Sequence, residues 1–167
     1  MNLLTHVRRL RRENSGAALV EFTILAPLLL SLMCGLAEFG QLLRQYHVME
    51  KGVRDAARYL AAVPVNPACT GVTDPAGYTW ANAKAEAQNL AVFGSTTGTT
   101  PLVRTWTSTA TVTVDDGTCL ANPRPNGLPL AKITVTASAP YAGIGMLGYL
   151  GFGAPTLTVS HQELKVF

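Results

Sequence analysis

The residues of this sequence that could do chemistry are few, and one of them stands in surroundings that a charge avoids. In "SGAALVEFTILAPLLL" (15–30), Glu21 lies five residues into an apolar run, directly behind an arginine-rich start. A carboxylate near the end of a membrane helix costs roughly 1–3 kcal/mol and asks for a partner. Three plainer arrangements compete with a functional one: Glu21 at the cytoplasmic interface, its side chain snorkelling to water, or its carboxyl protonated.

The other reactive side chains form no catalytic set. Cys34 falls inside the apolar run, while Cys69 and Cys119 follow it. If that later part is exported to an oxidising compartment, Cys69 and Cys119 are a candidate disulfide, which would contribute roughly 3–4 kcal/mol through the unfolded state. The intervals between the cysteines fit no zinc motif. His6, His47 and His161 are scattered, and nothing matches a nucleophile elbow, a P-loop, an HExxH helix or a pair of catalytic carboxylates. Asp115-Asp116-Gly117 reads as a turn before it reads as a calcium loop, because the remaining ligands of such a loop are missing. The expectation is a protein that is not an enzyme, with no metal and no cofactor.

The elements that must position these residues begin with that apolar run. Ala17 to Ala37 is 21 residues whose only charge is Glu21, close to the roughly 20 that a helix needs to cross a bilayer. It accounts for much of a 48% hydrophobic composition and a mean hydropathy of +0.22. The net charge of +3 is local: Arg8, Arg9, Arg11 and Arg12 stand against Glu13 in the first sixteen residues, and the remainder is neutral. A neutral body argues against nucleic acid as a partner. The arginines instead read as a positive-inside signal, holding the N-terminus in the cytoplasm and the C-terminal body beyond the inner membrane.

Past the span, Phe39, Leu42, Tyr46, Met49, Val53, Ala56 and Leu60 mark one helical face. One helix is therefore expected from Ala17 to Ala62, about 69 Å long, ended by Val63-Pro64 and kinked at Pro27. Glu38 reads as an interfacial residue facing water, and Arg58 as a solvated cation at the helix C-terminus. Residues 64–77 read as a loop, and Tyr78 to Phe93 as a short helix ended by Gly94. Thr/Val alternation predicts strands over 104–114, 131–139 and 156–166, with loops at 115–129 and 139–155. The class is α+β: a long N-terminal transmembrane and amphipathic helix packed at its outer half against a small antiparallel sheet. The chain divides into a basic leader (1–16), a transmembrane helix (17–37), its amphipathic extension (38–63) and an exported α+β domain (64–167). The uncharged loop at 140–153 either covers a sheet edge, lies on the membrane surface or contacts another subunit.

The arginine-rich leader, Gly16 and an apolar helix with Glu21 and Phe22 at the fifth and sixth places after that glycine resemble the processing site of type IV prepilins. The continuation, through Val20, Pro27, Glu38, Phe39, Gly40, Ala56, Ala57, Arg58 and Tyr59, resembles the TadE-like pseudopilin family of the tight-adherence (Flp) pilus system. Gln41 stands where that family often has arginine. The resemblance implies a pilin-like fold and cleavage of the leader between Gly16 and Ala17 by a prepilin peptidase. It gives Glu21 a partner, the new α-amine of Ala17, within one helix or between neighbouring subunits, and so a role in register and assembly. It further implies a minor pilin with the major pilin, sibling pseudopilins and the pilus assembly platform as partners, acting in assembly, adhesion or biofilm formation. The competing expectation is an unprocessed single-span anchor carrying an exterior binding domain.

Overall fold

The computed structural model describes residues 15–71, 73–75, 77–121, 129–149 and 151–166. The leader, apart from its last two residues, therefore lies outside the described part. The first element, α1, runs from Ser15 to Ala62 and continues through Pro27 without interruption. The chain divides into two compact units after Gly40.

In the first unit α1 is apolar on every side but for Glu21 and Glu38. An 18-residue window of mean hydropathy 2.1 has none of its residues buried, and side chains such as Leu19, Phe22, Ile24 and Leu30 are exposed. A helix without a polar face must be covered by lipid or by other helices. Thr23 and Ser31 satisfy their hydroxyls locally: Thr23 Oγ1 donates to the Leu19 carbonyl at 2.7 Å and Ser31 Oγ to the Leu28 carbonyl at 2.8 Å. By length and composition the helix can cross a membrane once.

The second unit holds the rest of α1 together with α2 (Trp80–Phe93), β1 (Val112–Leu120), β2 (Leu130–Pro140), the single turn α3 (Met146–Tyr149) and β3 (Thr156–Lys165). The three strands form an antiparallel meander in the order β1-β2-β3. Strict alternation buries one face of the central strand, Ala131, Ile133, Val135, Ala137 and Ala139. That face, Leu157 and Val159 of β3 and Val112 of β1 share one core with Met49, Val53, Ala56, Ala57 and Leu60 of α1 and with the alanine face of α2.

The start of α2 is held by Asp74, whose carboxylate accepts from Trp80 N and Asn66 N, both at 2.7 Å. Its end is Gly94 at φ 71°, which donates to the Leu90 carbonyl at 2.9 Å; only glycine takes this left-handed position without strain. Buried Ala83, Ala87 and Ala91 give α2 a thin face, and α1 answers with Gly52. A Cβ at Gly52 would lie 2.4 Å from the Ala91 carbonyl oxygen, so the two backbones touch. The 3-10 turn Ala68–Thr70 brings Cys69 to β1, where it is disulfide-bonded to Cys119 with Cα atoms 5.8 Å apart.

Three details differ from the sequence pattern. Thr/Val alternation predicts the first strand over 104–114, yet β1 covers Val112–Leu120. Residues before it are folded into turns by Trp106, a core residue at 1% exposure whose indole donates to Thr111 Oγ1 at 2.9 Å. The Asp-Asp-Gly stretch, which reads as a loop, is inside β1: the register shifts between Asp115 and Thr118, so a bulge absorbs its turn chemistry. The apolar stripe of α1 is also rotated. Phe39 and Tyr46 are exposed, whereas Glu38 and Gln45 are each 6% exposed, which corrects the expectation of a water-facing Glu38. Glu38, Gln45, Met49, Val53, Ala56 and Leu60 are the true buried row, and hydropathy cannot see it where its members are polar.

Gly52→Ala should destabilise the protein by about 1–3 kcal/mol, because the contacting atom is backbone and cannot swing aside. Thermal unfolding of the full-length protein in detergent checks this, with Gly40→Ala, which meets nothing within 4 Å, as the neutral control.

Candidate functional site

The Gly16–Ala17 bond lies within α1, at the edge of the described residues. Glycine, having no side chain to restrict its backbone, is among the residues that weaken a helix most. A Cβ at Gly16 would meet nothing within 4 Å. Ala17 and Glu21 are one turn apart on the same helix, and Ala17, Glu21 and Phe22 are all exposed. Glu21 joins no ion pair among the described residues. Pro27 offers no N–H to the carbonyl of Thr23, so that one rung of the ladder is missing inside the apolar run.

The extension of α1 is fastened to the second unit by polar groups that periodicity alone does not reveal. Gln45 donates from Nε2 to the Ala142 carbonyl at 2.6 Å and accepts from Ala142 N at 3.0 Å through Oε1. Its amide thus does for the 141–144 segment what a neighbouring strand would do. Near the other end, Tyr59 and Tyr78 bring their hydroxyls within 2.9 Å of each other, and both donate to Glu86 of α2. These two bonds hold the Glu86 carboxyl below its usual range against the opposing effect of burial. Burial and the bond to Glu86 push both phenols up.

The C-terminus of α1 is closed by Lys165, the last residue of β3. Its Nζ donates to the carbonyls of Leu60 at 3.0 Å, Ala61 at 3.3 Å and Val63 at 2.5 Å, and lies 5.7 Å from the centre of the Trp80 ring. An ammonium there meets both the orphan carbonyls and the negative end of the helix dipole. Burial lowers its pKa, and Asp74 opposes that. The helix-end cation is therefore Lys165, whereas Arg58 stays largely in solvent, 3.8 Å from Glu163. Asp116 is similarly occupied: it accepts from the Trp80 indole and pairs with Lys84 at 3.3 Å. Gln45, Tyr78, Glu86 and Lys165 carry no sequence signal of these roles, since each partner is distant along the chain or is a backbone group.

These features define a class: an α+β protein with one N-terminal helix able to cross a membrane and a compact sheet-and-helix unit built on the continuation of that helix. Residues 16–58 match the model of the TadE-like protein family, so that segment is similar to that family. No curated protein and no solved structure matches significantly. The matched segment covers the Gly16 and Glu21 motif and ends one residue before Tyr59.

A group whose folded pKa is depressed stabilises above its unfolded value and loses that contribution as pH falls through the folded one. Acidification below about pH 4 should therefore weaken the Tyr59–Tyr78–Glu86 contact. Thermal midpoints measured against pH should lose this acid-side component in Tyr59→Phe/Tyr78→Phe. Lys165→Ala, which strands three carbonyls, should cost about 1–3 kcal/mol at neutral pH in chemical unfolding.

Proposed function

We propose that this protein is a minor pilin or pseudopilin of a tight-adherence pilus, a structural component without catalytic activity. The observation that carries the reading is the placement of Gly16 and Glu21 at the start of a lipid-compatible helix, within the segment that matches the TadE-like family. A prepilin peptidase would cut between Gly16 and Ala17 on the cytoplasmic face, where the conformational freedom of glycine lets the backbone extend into a protease cleft. The leader arginines would keep the N-terminus in the cytoplasm and send residues 41–167 beyond the inner membrane. The disulfide between Cys69 and Cys119 suits that oxidising side.

After cleavage the amine of Ala17 and the carboxylate of Glu21 would lie one turn apart. In a low-dielectric setting an unpaired carboxylate is much worse than a paired one, so the pair would penalise wrong axial registers among packed helices. The exposed apolar helix would pack against the major pilin or sibling pseudopilins on the assembly platform, in pilus assembly, adhesion or biofilm formation. The size of the C-terminal unit favours a minor over a major role, since a dense shaft would have to accommodate it in every subunit.

Intact mass and N-terminal sequence of the protein from membranes with and without the cognate prepilin peptidase test this directly. A peptidase-dependent start at Ala17 is expected, and a leader retained in both samples would favour the unprocessed single-span anchor. Glu21→Ala should leave insertion and cleavage intact while lowering assembled pilus by about tenfold, equivalent to roughly 1.4 kcal/mol of lost pairing; unchanged assembly would remove the register role.

A further inference from the structure

A groove of about 700 Å³ in the second unit differs from the rest of its surface. It is walled by Gln41 and Arg44 of α1, by Leu102 and Arg104 of the segment after α2, and by Ala142 and Ile144. The two bonds between Gln45 and Ala142 fix the last wall to the helix. Arg44 and Arg104 are both exposed, both line the groove, and neither joins an ion pair among the described residues. No carboxylate lines it among the described residues. Two guanidinium forks on one opening suit a phosphate, whose oxygens they can bind in pairs.

A second, independent observation adjoins the first. The segment that begins at the groove wall, 143–153, carries no charged residue, and it exposes Ile144 (63%), Tyr149 (86%) and Phe152 (63%). Apolar and aromatic side chains so open to solvent mark an interaction surface. Its occupant follows from position along the chain. Arg44 is the seventh residue after Ala37, where the apolar run ends, hence about 10 Å further along a helix, and a long side chain there, leaning toward the helix N-terminus, can reach back several ångströms to the headgroups. A headgroup layer occupies about 5–8 Å beyond each face of the hydrocarbon core, and tyrosine favours that layer.

We propose that the groove and the 143–153 segment form a lipid-binding patch. Arg44 and Arg104 hold the phosphate of an anionic phospholipid headgroup, and Ile144, Tyr149 and Phe152 enter the interfacial layer of the same leaflet. The inference rests on α1 as a membrane span and is independent of the pilus assignment.

The test uses the full-length protein carrying Tyr149→Trp in nanodiscs of phosphatidylcholine, plain or brominated on the acyl chains, with and without phosphatidylglycerol. Trp80 and Trp106 are core residues at 7% and 1% exposure and supply a constant background. Bromine should quench the introduced indole but not the parent protein. Quenching should deepen with phosphatidylglycerol, and Arg44→Gln/Arg104→Gln should abolish that increment. Emission indifferent to bromine in a protein that resists carbonate extraction would overturn the patch and leave the segment to a protein partner. An increment that survives the double substitution would also overturn it. Loss of the increment on adding millimolar inorganic phosphate, with sulfate inert, would reassign the groove to free phosphate. Extraction of the protein by carbonate would overturn the span and the patch with it.

Discussion

The ammonium of Lys165 closes the C-terminus of α1, and the arrangement of the second unit follows from that closure. A helix that ends against a core leaves carbonyls that water cannot reach, and these must find donors. Lys165 supplies three such bonds from the end of β3. Because β3 is in register with β2 from Thr156 to Lys165, the same contact fixes the sheet against the helix at one end. The ammonium also caps one side of Trp80, the first residue of α2. One side chain thus ties α1, α2 and the sheet together, despite the burial that depresses its own pKa.

Small residues set the other half of the packing. Gly52 against the Ala91 carbonyl brings the α1 and α2 backbones into contact, and Ala56 and Ala57 are fully buried next along the helix. At that distance side chains of α2 cannot interdigitate deeply, so specificity passes to hydrogen bonds at the margins. Glu86 receives Tyr59 and Tyr78, and Gln88 donates from Nε2 to the Val112 carbonyl at 2.8 Å. Ala56 and Ala57, inside the segment that matches the family, are therefore packing positions of this fold, and Tyr59 just beyond it packs against the same core. Glu21 and Gly16 differ: among the described residues Glu21 joins no ion pair, and a Cβ at Gly16 would meet nothing within 4 Å.

The α1 helix meets two different requirements along its length. Through the first unit its side chains are apolar but for Glu21 and Glu38, and the Thr23 and Ser31 hydroxyls bond their own backbone. In the second unit one face is buried, and the outward charges pair along the helix, Lys51 with Asp55 at 3.0 Å and Arg54 with Glu50 at 2.6 Å. Such surface pairs add little stability. Their use is to keep that face wet while the opposite one is buried.

The sequence by itself determined the span, the long helix, the α+β class, the three-stranded antiparallel sheet and the glycine that ends α2. These are local or periodic: an apolar run of sufficient length, the 3.6 and 2 periods, and a residue tolerant of positive φ. Only the tertiary structure decided the rest. Whether Trp106 continued a strand or plugged the core depended on the surface that received it, and the Asp115 turn signal became a bulge because β2 paired beyond it. The buried row of α1 includes Glu38 and Gln45, and Gln45 is admitted by the Ala142 backbone, 97 residues away. The Lys165 cap and the groove between Arg44 and Arg104 are likewise contacts between distant parts of the chain. A polar residue is buried when a partner meets it, and the identity of that partner is a property of the fold rather than of the neighbouring sequence.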